Sequence, residues 1–246
     1  ENYTPVHHKS QAAIELGTAL QARQTLVNSR TSLCNSVRGL LKTYGVKLGK
    51  KKSLKTFIQD VILAIKGQSV TVQHRILGLL SSLKIIDEEL TSLNLKLEEI
   101  AEADEDVQRF QSAPGVGPIT ALAFKAEMDN AERFISSRNV PAYFGLTPSQ
   151  YASGETCIQG SISKQGSKMM RYLLVGAGIS ILCHSKKWSK LKAWGMRLKK
   201  KKGTKRAAVA IARKLAIILH RMWVKKEAFR FESKEKAKGK KLEKAA

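Results

Sequence analysis

The sequence predicts a mainly α fold: a long helix and a coiled-coil arm, then a compact helical domain. That domain is expected to hold a helix-hairpin-helix-like element and a serine-bearing loop. Three observations predict this order. Apolar residues recur at helical spacing through the first hundred residues, a Pro/Gly-rich texture begins at Ala113, and further apolar and basic helical segments follow residue 168. With 246 residues, 43% of them hydrophobic, the chain can bury a core.

The first helix is predicted over residues 10–44, with Ser10 as its N-cap. Along it, Arg23, Arg30 and Arg38 are seven or eight residues apart and so share one face, either as a solvated stripe or as a phosphate-facing one. Glycines and a run of three lysines follow, and residues 53–66 are then typical of an amphipathic helix.

The most regular periodicity is a heptad seam of alternating three- and four-residue steps, which predicts a coiled coil over 69–107. Its partner is either an earlier helix of the same chain or, as we favour, a second protomer. The seam consists of Ile76, Leu79, Leu83, Ile86, Leu90, Leu93, Leu97 and Ile100.

Beyond Ala113 the elements are shorter. After a tight Pro/Gly turn, we expect helices over 119–128 and 133–144, and a loop or hairpin over 145–167 with short strands near 151–162. Helices are then expected over 169–183, 187–202 and 207–224. The Lys-rich tail, residues 232–246, is predicted to be disordered.

Charge indicates the partner. The chain has 44 Lys/Arg against 20 Asp/Glu, a formal net charge of +24, and most of the excess lies after residue 181. A regional excess of this kind favours a nucleic-acid surface over a general solubility effect. The candidate phosphate-binding cations in this region are Lys199, Lys200, Lys201, Lys202, Lys205 and Arg206.

A membrane is the competing polyanion. No run of eighteen apolar residues is present, so a transmembrane segment is not expected. A membrane-surface helix would use Leu215, Ile217, Ile218 and Trp223, but packing in a core explains these residues more simply. Three widely spaced cysteines fit a reducing cytoplasm, and the N-terminus lacks a signal-peptide pattern.

Two segments carry candidate chemistry. Gly115 and Gly117, between two helices, resemble the turn of a helix-hairpin-helix motif, in which backbone N–H groups reach one DNA phosphate. The alternative is an ordinary turn between two helices, with no role in binding. A serine beside glycine, Ser153, is followed by Lys164, Lys168 and Arg171, which could stabilise charge on a phosphodiester. On composition alone a Ser–Gly turn is the simpler interpretation, and no His or Asp has triad spacing.

The order of these motifs closely resembles the C-terminal domain of the insertion-sequence one-ten family of transposases, over roughly residues 110–185. A looser likeness extends from Val6–Lys9 through the first helix. The matching positions are Pro114, Gly115, Gly117, Phe134, Gly145, Leu146, Pro148, Ser153, Gly154, Gly160, Lys164, Gly166, Arg171 and Leu174.

The resemblance implies a bridge-RNA-guided recombinase in which Ser153 attacks DNA and forms a covalent phosphoserine link. Ala152 stands where many relatives carry a second serine, which concentrates the assignment on Ser153. The family holds Mg²⁺ with four carboxylates of a RuvC-like DEDD domain, which this sequence does not show, so we expect no cofactor in this chain and Mg²⁺ in a missing domain.

The expected organisation therefore has four parts: a helical linker (1–68), the coiled coil (69–107), the C-terminal transposase domain (108–231) and the basic tail (232–246). Expected partners are DNA, a guide RNA and further copies of the chain, in the bacterial cytoplasm at the nucleoid. The alternative is a non-catalytic nucleic-acid-binding fragment of a decayed element.

Overall fold

The computed structural model describes residues 6–49, 53–153 and 156–231. The predicted disordered tail, 232–246, lies outside these residues. Helices dominate the described part, which confirms the mainly α fold. They pack as two units, one of Thr18–Leu97 (the arm unit) and one of Glu1–Gly17 with Glu98–Ala246 (the main unit). These units are defined by packing alone, so the four functional segments stay a prediction.

The arm unit contains most of α1 (Gln11–Lys42), α2 (Leu54–Ile65) and most of α3 (Val70–Ala103). Ser10 caps α1, since its hydroxyl accepts a hydrogen bond from the Ala13 N–H at 3.2 Å. Ser53 caps α2 in the same way through the Thr56 N–H. Both predicted helix starts are thus confirmed.

The heptad seam of α3 is covered from within the chain. Ile76, Leu83, Leu90 and Leu97 are all buried, and Ile76 and Leu83 belong to a core shared with α1 and α2. Polar pairs join the same helices: Arg30 and Asp87 form an ion pair at 2.7 Å, and Arg23 donates to Asn94 at 2.6 Å. Earlier helices of the same chain therefore bury part of the seam, whereas Ile100 at its end is exposed, and a contact with a second protomer stays a prediction.

The main unit begins with two short helices. These are α4 (Glu105–Gln111), capped by Asp104, and α5 (Pro118–Met128), which the sequence predicted from residue 119. The N-terminal segment joins them, because the Asp129 carboxylate accepts hydrogen bonds from the Ser10 N–H and from His7. Burial would raise the pKa of Asp129, but the bonds from Ser10 and His7 hold that pKa below its ordinary value.

The predicted helix over 133–144 is wrong in extent. Only a 3-10 turn (Ala131–Arg133) and a single helical turn, α6 (Val140–Tyr143), are present. Pro141 has no N–H with which to continue a helix from residue 137, so it starts a new one. The intervening residues are held by the buried His220, whose ring nitrogens bond Ser137 Oγ and Ala131 O at 2.8 Å each.

The rest of the main unit is a hairpin followed by three helices. Strands β1 (Pro148–Ser153) and β2 (Thr156–Ile162) precede α7 (Lys168–Cys183), α8 (Lys190–Lys202) and α9 (Thr204–Lys225). The core centres on α7, α9 and an aromatic cluster. In this cluster the ring centroids of Phe110, Phe124 and Trp223 lie 5.2–6.4 Å from one another. Leu215 and Trp223 are buried, so α9 packs in the core as the simpler interpretation predicted. In the described ranges, no helix is long and apolar enough to cross a bilayer.

Asp106 ties α4 to the end of α9. Its carboxylate accepts hydrogen bonds from the Trp223 indole N–H at 2.9 Å and from the Lys226 ammonium at 2.9 and 3.0 Å. Burial would raise the pKa of Asp106, but Lys226 and Trp223 hold it below its ordinary value. Asp106, the second residue of α4, thus takes part in a structural ion pair with Lys226.

Helices α7 and α9 cross with no side chain between their backbones at Gly178. A Cβ added there would lie 2.5 Å from the Ala208 carbonyl oxygen, whereas one added at Gly176 would meet nothing within 4 Å. We therefore expect Gly178→Ala to lower the free energy of unfolding by about 1–3 kcal/mol through overpacking. The matched Gly176→Ala variant should be neutral or stabilising by up to about 1 kcal/mol. Urea unfolding followed by circular dichroism measures both, and equal stabilities would contradict the close crossing.

Candidate nucleic-acid interface and serine hairpin

Ser153 is the last residue of β1, at the tip of a two-stranded antiparallel ribbon. It pairs with Thr156, while Pro148 at the other end pairs with Ile162. The Ser153 side chain is exposed. Gly154 and Glu155, which connect the strands, lie outside the described residues. The structure therefore presents the predicted serine at a position that a macromolecular substrate can reach.

The base of the ribbon is a backbone-to-backbone clamp, formed where Tyr143–Gly145 meets Lys164–Gly166. The Lys164 N–H donates to the Gly145 carbonyl at 3.1 Å. Gly145 and Gly166 both have positive φ, 63° and 73°. A Cβ on Gly145 would collide with Gln165, and one on Gly166 with the Tyr143 carbonyl. These two glycines are required for conformation and close approach, which gives a physical reason for that part of the motif.

Arg171 stabilises this clamp from α7. Its Nη1 donates to the carbonyl oxygens of Gln165 at 2.6 Å, Gly166 at 2.9 Å and Phe144 at 3.3 Å. One guanidinium nitrogen is therefore committed to the fold. The sequence predicted Arg171 to bind nucleic acid, and only the other guanidinium N–H groups of Arg171 remain for that role.

The cations predicted to assist Ser153 lie at the other end of the ribbon. Lys164 adjoins the clamp and Lys168 begins α7, whereas Ser153 is five strand residues beyond Pro148. At about 3.3 Å per residue this is a separation of roughly 16 Å along the strand. The expectation that these cations surround the serine within one chain is therefore corrected: Ser153 lies at the tip of the ribbon, whereas the cations lie at or beyond its base, with Lys168 and Arg171 on α7.

The turn between α4 and α5 contains Gly115 and Gly117, and only the first is sterically required. A Cβ on Gly115, at φ 77°, would lie 2.6 Å from the Ala177 carbonyl of α7, so this glycine permits packing within the chain. A Cβ on Gly117 would meet nothing within 4 Å. The reason given from the sequence, close approach of both glycines to a phosphate, is thus replaced by helix packing for Gly115.

That turn nevertheless lines a groove. The cavity has a volume of about 590 Å³ and is bounded by Gln111–Gly117, Lys186, Lys187 and Phe231. Pro118 is the first residue of α5, and the N-terminal end of a helix carries a partial positive charge. The groove thus combines backbone and ammonium groups that favour an anion.

A second group of cations surrounds Gly203, where α8 ends and α9 begins; we call it the cationic turn. Lys199–Lys202 form the last turn of α8, where their positive charges interact favourably with the negative C-terminal end of the helix dipole. Lys205 and Arg206 lie in the first turn of α9, where positive charge opposes the helix dipole. Five of the six side chains, all but the half-buried Lys199, are exposed. A bound polyanion would relieve their mutual repulsion.

The excess of Lys and Arg begins earlier in the chain than the sequence analysis indicated. Residues 156–226 contain nineteen Lys/Arg and no Asp/Glu. The acids of the main unit are instead used near α4 and α5, where Asp104 pairs with Lys125 and Glu127 with Lys9 at 3.0 Å. The α7–α9 region therefore has no internal counter-charge.

No metal centre occurs in the part of the chain that the structure describes, since no three His, Cys, Asp or Glu side chains converge there. The Mg²⁺ that the resemblance implies therefore does not fit these residues.

A helical domain with a basic, acid-free α7–α9 region is suited to bind a polyanion such as nucleic acid. Comparison with known proteins indicates which proteins this domain resembles. Residues 107–193 match the model of the IS116/IS110/IS902 family of transposases. This segment holds the turn at Gly115, the ribbon, α7 and the start of α8.

Similarity to curated transposases extends over most of the chain. It is 34% identical over 230 residues, 92% of its length, to the transposase for insertion sequence element IS1111A of Coxiella burnetii. It is 28% identical over 232 residues, 93% of its length, to a "Probable family 20 transposase" of Pseudomonas aeruginosa. The matches cover 63% and 68% of those relatives, so the chain spans about two thirds of their length. The chain is thus similar to insertion-sequence transposases over most of its length, and to the IS116/IS110/IS902 family model within residues 107–193.

Arg171 and Lys168, one turn apart on α7, separate a structural cation from a surface one. We expect Arg171→Met to lower the free energy of unfolding by roughly 1.5–3 kcal/mol, because three carbonyl groups lose a charged donor. The exposed Lys168→Met variant should change it by less than about 0.5 kcal/mol. Thermal and urea unfolding measure both values. A stable Arg171→Met protein would show that the clamp does not need this side chain.

Proposed function

We propose that this chain is the C-terminal part of an insertion-sequence DNA transposase in which Ser153 is the nucleophile. One observation carries the proposal: an exposed serine stands at the tip of a β ribbon, within the segment that matches the transposase family. The acid-free α7–α9 region supplies the surface for a DNA backbone. Such a surface would neutralise phosphates and release their counterions.

The proposed step is a transesterification. The Ser153 hydroxyl oxygen forms a bond to phosphorus as one P–O bond of the DNA strand breaks, and the leaving strand keeps a hydroxyl end. The serine proton passes to a base, and the leaving oxygen receives one. The product is a covalent phosphoserine link, which a second DNA hydroxyl resolves without an external energy source.

The geometry adds a condition to this proposal. Lys164, Lys168 and Arg171 lie at the ribbon base, roughly 16 Å along the strand from Ser153. These three cations therefore do not surround Ser153 in one copy of the chain, and the proposal takes the groups that stabilise the developing phosphate charge from another part of the protein, from a second copy of the chain, or from both. A homo-oligomer, a guide RNA and carboxylate-bound Mg²⁺ in another domain belong to this proposal, as does a cytoplasmic, nucleoid-associated location.

A second candidate is a non-catalytic nucleic-acid-binding module from a decayed element. The separation of Ser153 from Lys164, Lys168 and Arg171 favours this binding module, because these residues do not form a catalytic site around the serine. Binding of nucleic acid by the cationic turn needs no reactive serine. The two candidates differ in whether Ser153 is required.

In the complete open reading frame, supplied with donor DNA, target DNA and guide RNA, Ser153→Ala should reduce recombination by more than about 1000-fold. It should also remove the covalent protein–DNA adduct seen on denaturing gels. DNA affinity should be retained, because the hydroxyl is not a phosphate-neutralising group. Ser161→Ala, an exposed serine on the partner strand, is the matched control and should recombine normally. Normal recombination by Ser153→Ala would overturn the assignment of Ser153 as nucleophile, whereas DNA binding without recombination by the unchanged protein would favour the binding module.

The DNA-binding surface is tested separately by salt titration. Replacing all six residues of the cationic turn, Lys199–Lys202, Lys205 and Arg206, by Gln should weaken duplex DNA binding and flatten its salt dependence. The slope should fall by about 0.9 for each phosphate that the variant no longer neutralises. Lys84→Gln with Lys96→Gln, exposed on α3, serves as the control and should leave the slope unchanged. An unchanged slope in the six-residue variant would remove the cationic turn from the interface.

A further inference from the structure

A large groove in the main unit lies outside the serine ribbon and outside the cationic turn. It has a volume of about 640 Å³ and is formed by the start of α8, the last turns of α9 and residues 227–231. This volume is within the roughly 300–1,000 Å³ that small-molecule sites occupy. Neither the charge pattern nor the sequence motifs pointed to it.

Two aromatic rings form one wall of this groove. Phe229 and Phe231 lie with ring centroids 4.8 Å apart and planes at 68°, and both are half-buried. Leu191 and Met222 extend the apolar lining. The Phe229 N–H donates to Ser112 Oγ at 2.8 Å, so the segment carrying the rings is fixed to the turn that follows α4.

The rim of the groove is basic. Arg221 and Lys225 line it, both are exposed, and neither forms an ion pair within the described ranges. The single acid of the lining, Glu227, is paired with Arg230 at 2.9 Å. An apolar floor with an uncompensated cationic rim is complementary to a ligand that has a flat apolar face and an anionic backbone.

The groove continues into the one beside Gly115. Phe231 lines both, and the Lys187 ammonium lies 5.5 Å from the centroid of its ring. A chain of linked anions could therefore follow Lys187, the Phe231 ring and the α9 rim in order. A compact anion would use only one of these places.

We infer that this groove, the aromatic groove, binds an unstacked base of single-stranded DNA, with flanking phosphates at Lys187, Arg221 and Lys225. The base would stack on the exposed face of Phe231 or Phe229. In a duplex both base faces are covered by neighbouring pairs, so only an extruded or single-stranded base could enter. The choice of DNA rests on the proposed transposase function; the recognition of a base by the rings does not.

The test uses the whole chain and a short oligothymidylate labelled centrally with 2-aminopurine. Phe231→Leu keeps an apolar side chain but removes the ring, so affinity should fall about tenfold and fluorescence quenching by stacking should disappear. Phe231→Trp should retain both. Phe229→Leu provides a second variant in case the first perturbs folding, and Tyr44→Ala, an exposed aromatic of the arm unit, is the matched control.

Several outcomes would overturn the inference. Unchanged oligothymidylate affinity in both leucine variants would exclude stacking on these rings. Equal competition by a duplex of the same length would exclude an unstacked base, and tighter binding of oligouridylate would assign the groove to RNA. Failure of the transposase proposal is distinguishable, since recombination by Ser153→Ala leaves the ring-dependent fluorescence change intact.

Discussion

Helix α7 is the element on which the main unit depends, because other segments approach its backbone directly at two consecutive residues. The Ala177 carbonyl faces Gly115 of the α4–α5 turn, and Gly178 faces the Ala208 carbonyl of α9. At such positions the interhelical distance is set by backbone atoms, which cannot change rotamer to relieve a clash. The same helix supplies Arg171 to the ribbon base. Helix α7 therefore positions the α4–α5 turn, the base of the ribbon and α9.

Acidic and basic side chains occupy different parts of the main unit. Carboxylates near α4 and α5 are used in specific bonds: Asp106 holds Trp223 and Lys226, and Asp129 holds Ser10 and His7. The lowered pKa of both groups follows from those partners and keeps them ionised in the folded state. Such bonds stabilise the fold at one place and leave the α7–α9 region with cations only. Residues 156–226, with nineteen Lys/Arg and no Asp/Glu, thus contribute +19 of the net charge of +24.

Most helices were predictable because their apolar residues recur with the period of a helix, and Ser10 caps the first of them as expected. The hairpin was predictable in place but not in register. The helix over 133–144 failed because its residues are held by a buried histidine 83 positions away from Ser137, an interaction that local pattern does not encode. Ser153 was found through resemblance, whereas the aromatic groove needs Phe229 and Phe231 to meet α8 and α9, which only the tertiary structure reveals.

The ribbon carrying Ser153 has two edges, and no third strand pairs with either in the described ranges. An isolated two-stranded ribbon is marginally stable in water. The clamp fixes only its base. Ordering the tip at a phosphate must therefore cost conformational entropy, which the assembled complex has to offset through other interactions. If Ser153 is the nucleophile proposed above, that cost would disfavour reaction with DNA that has not entered the assembled complex.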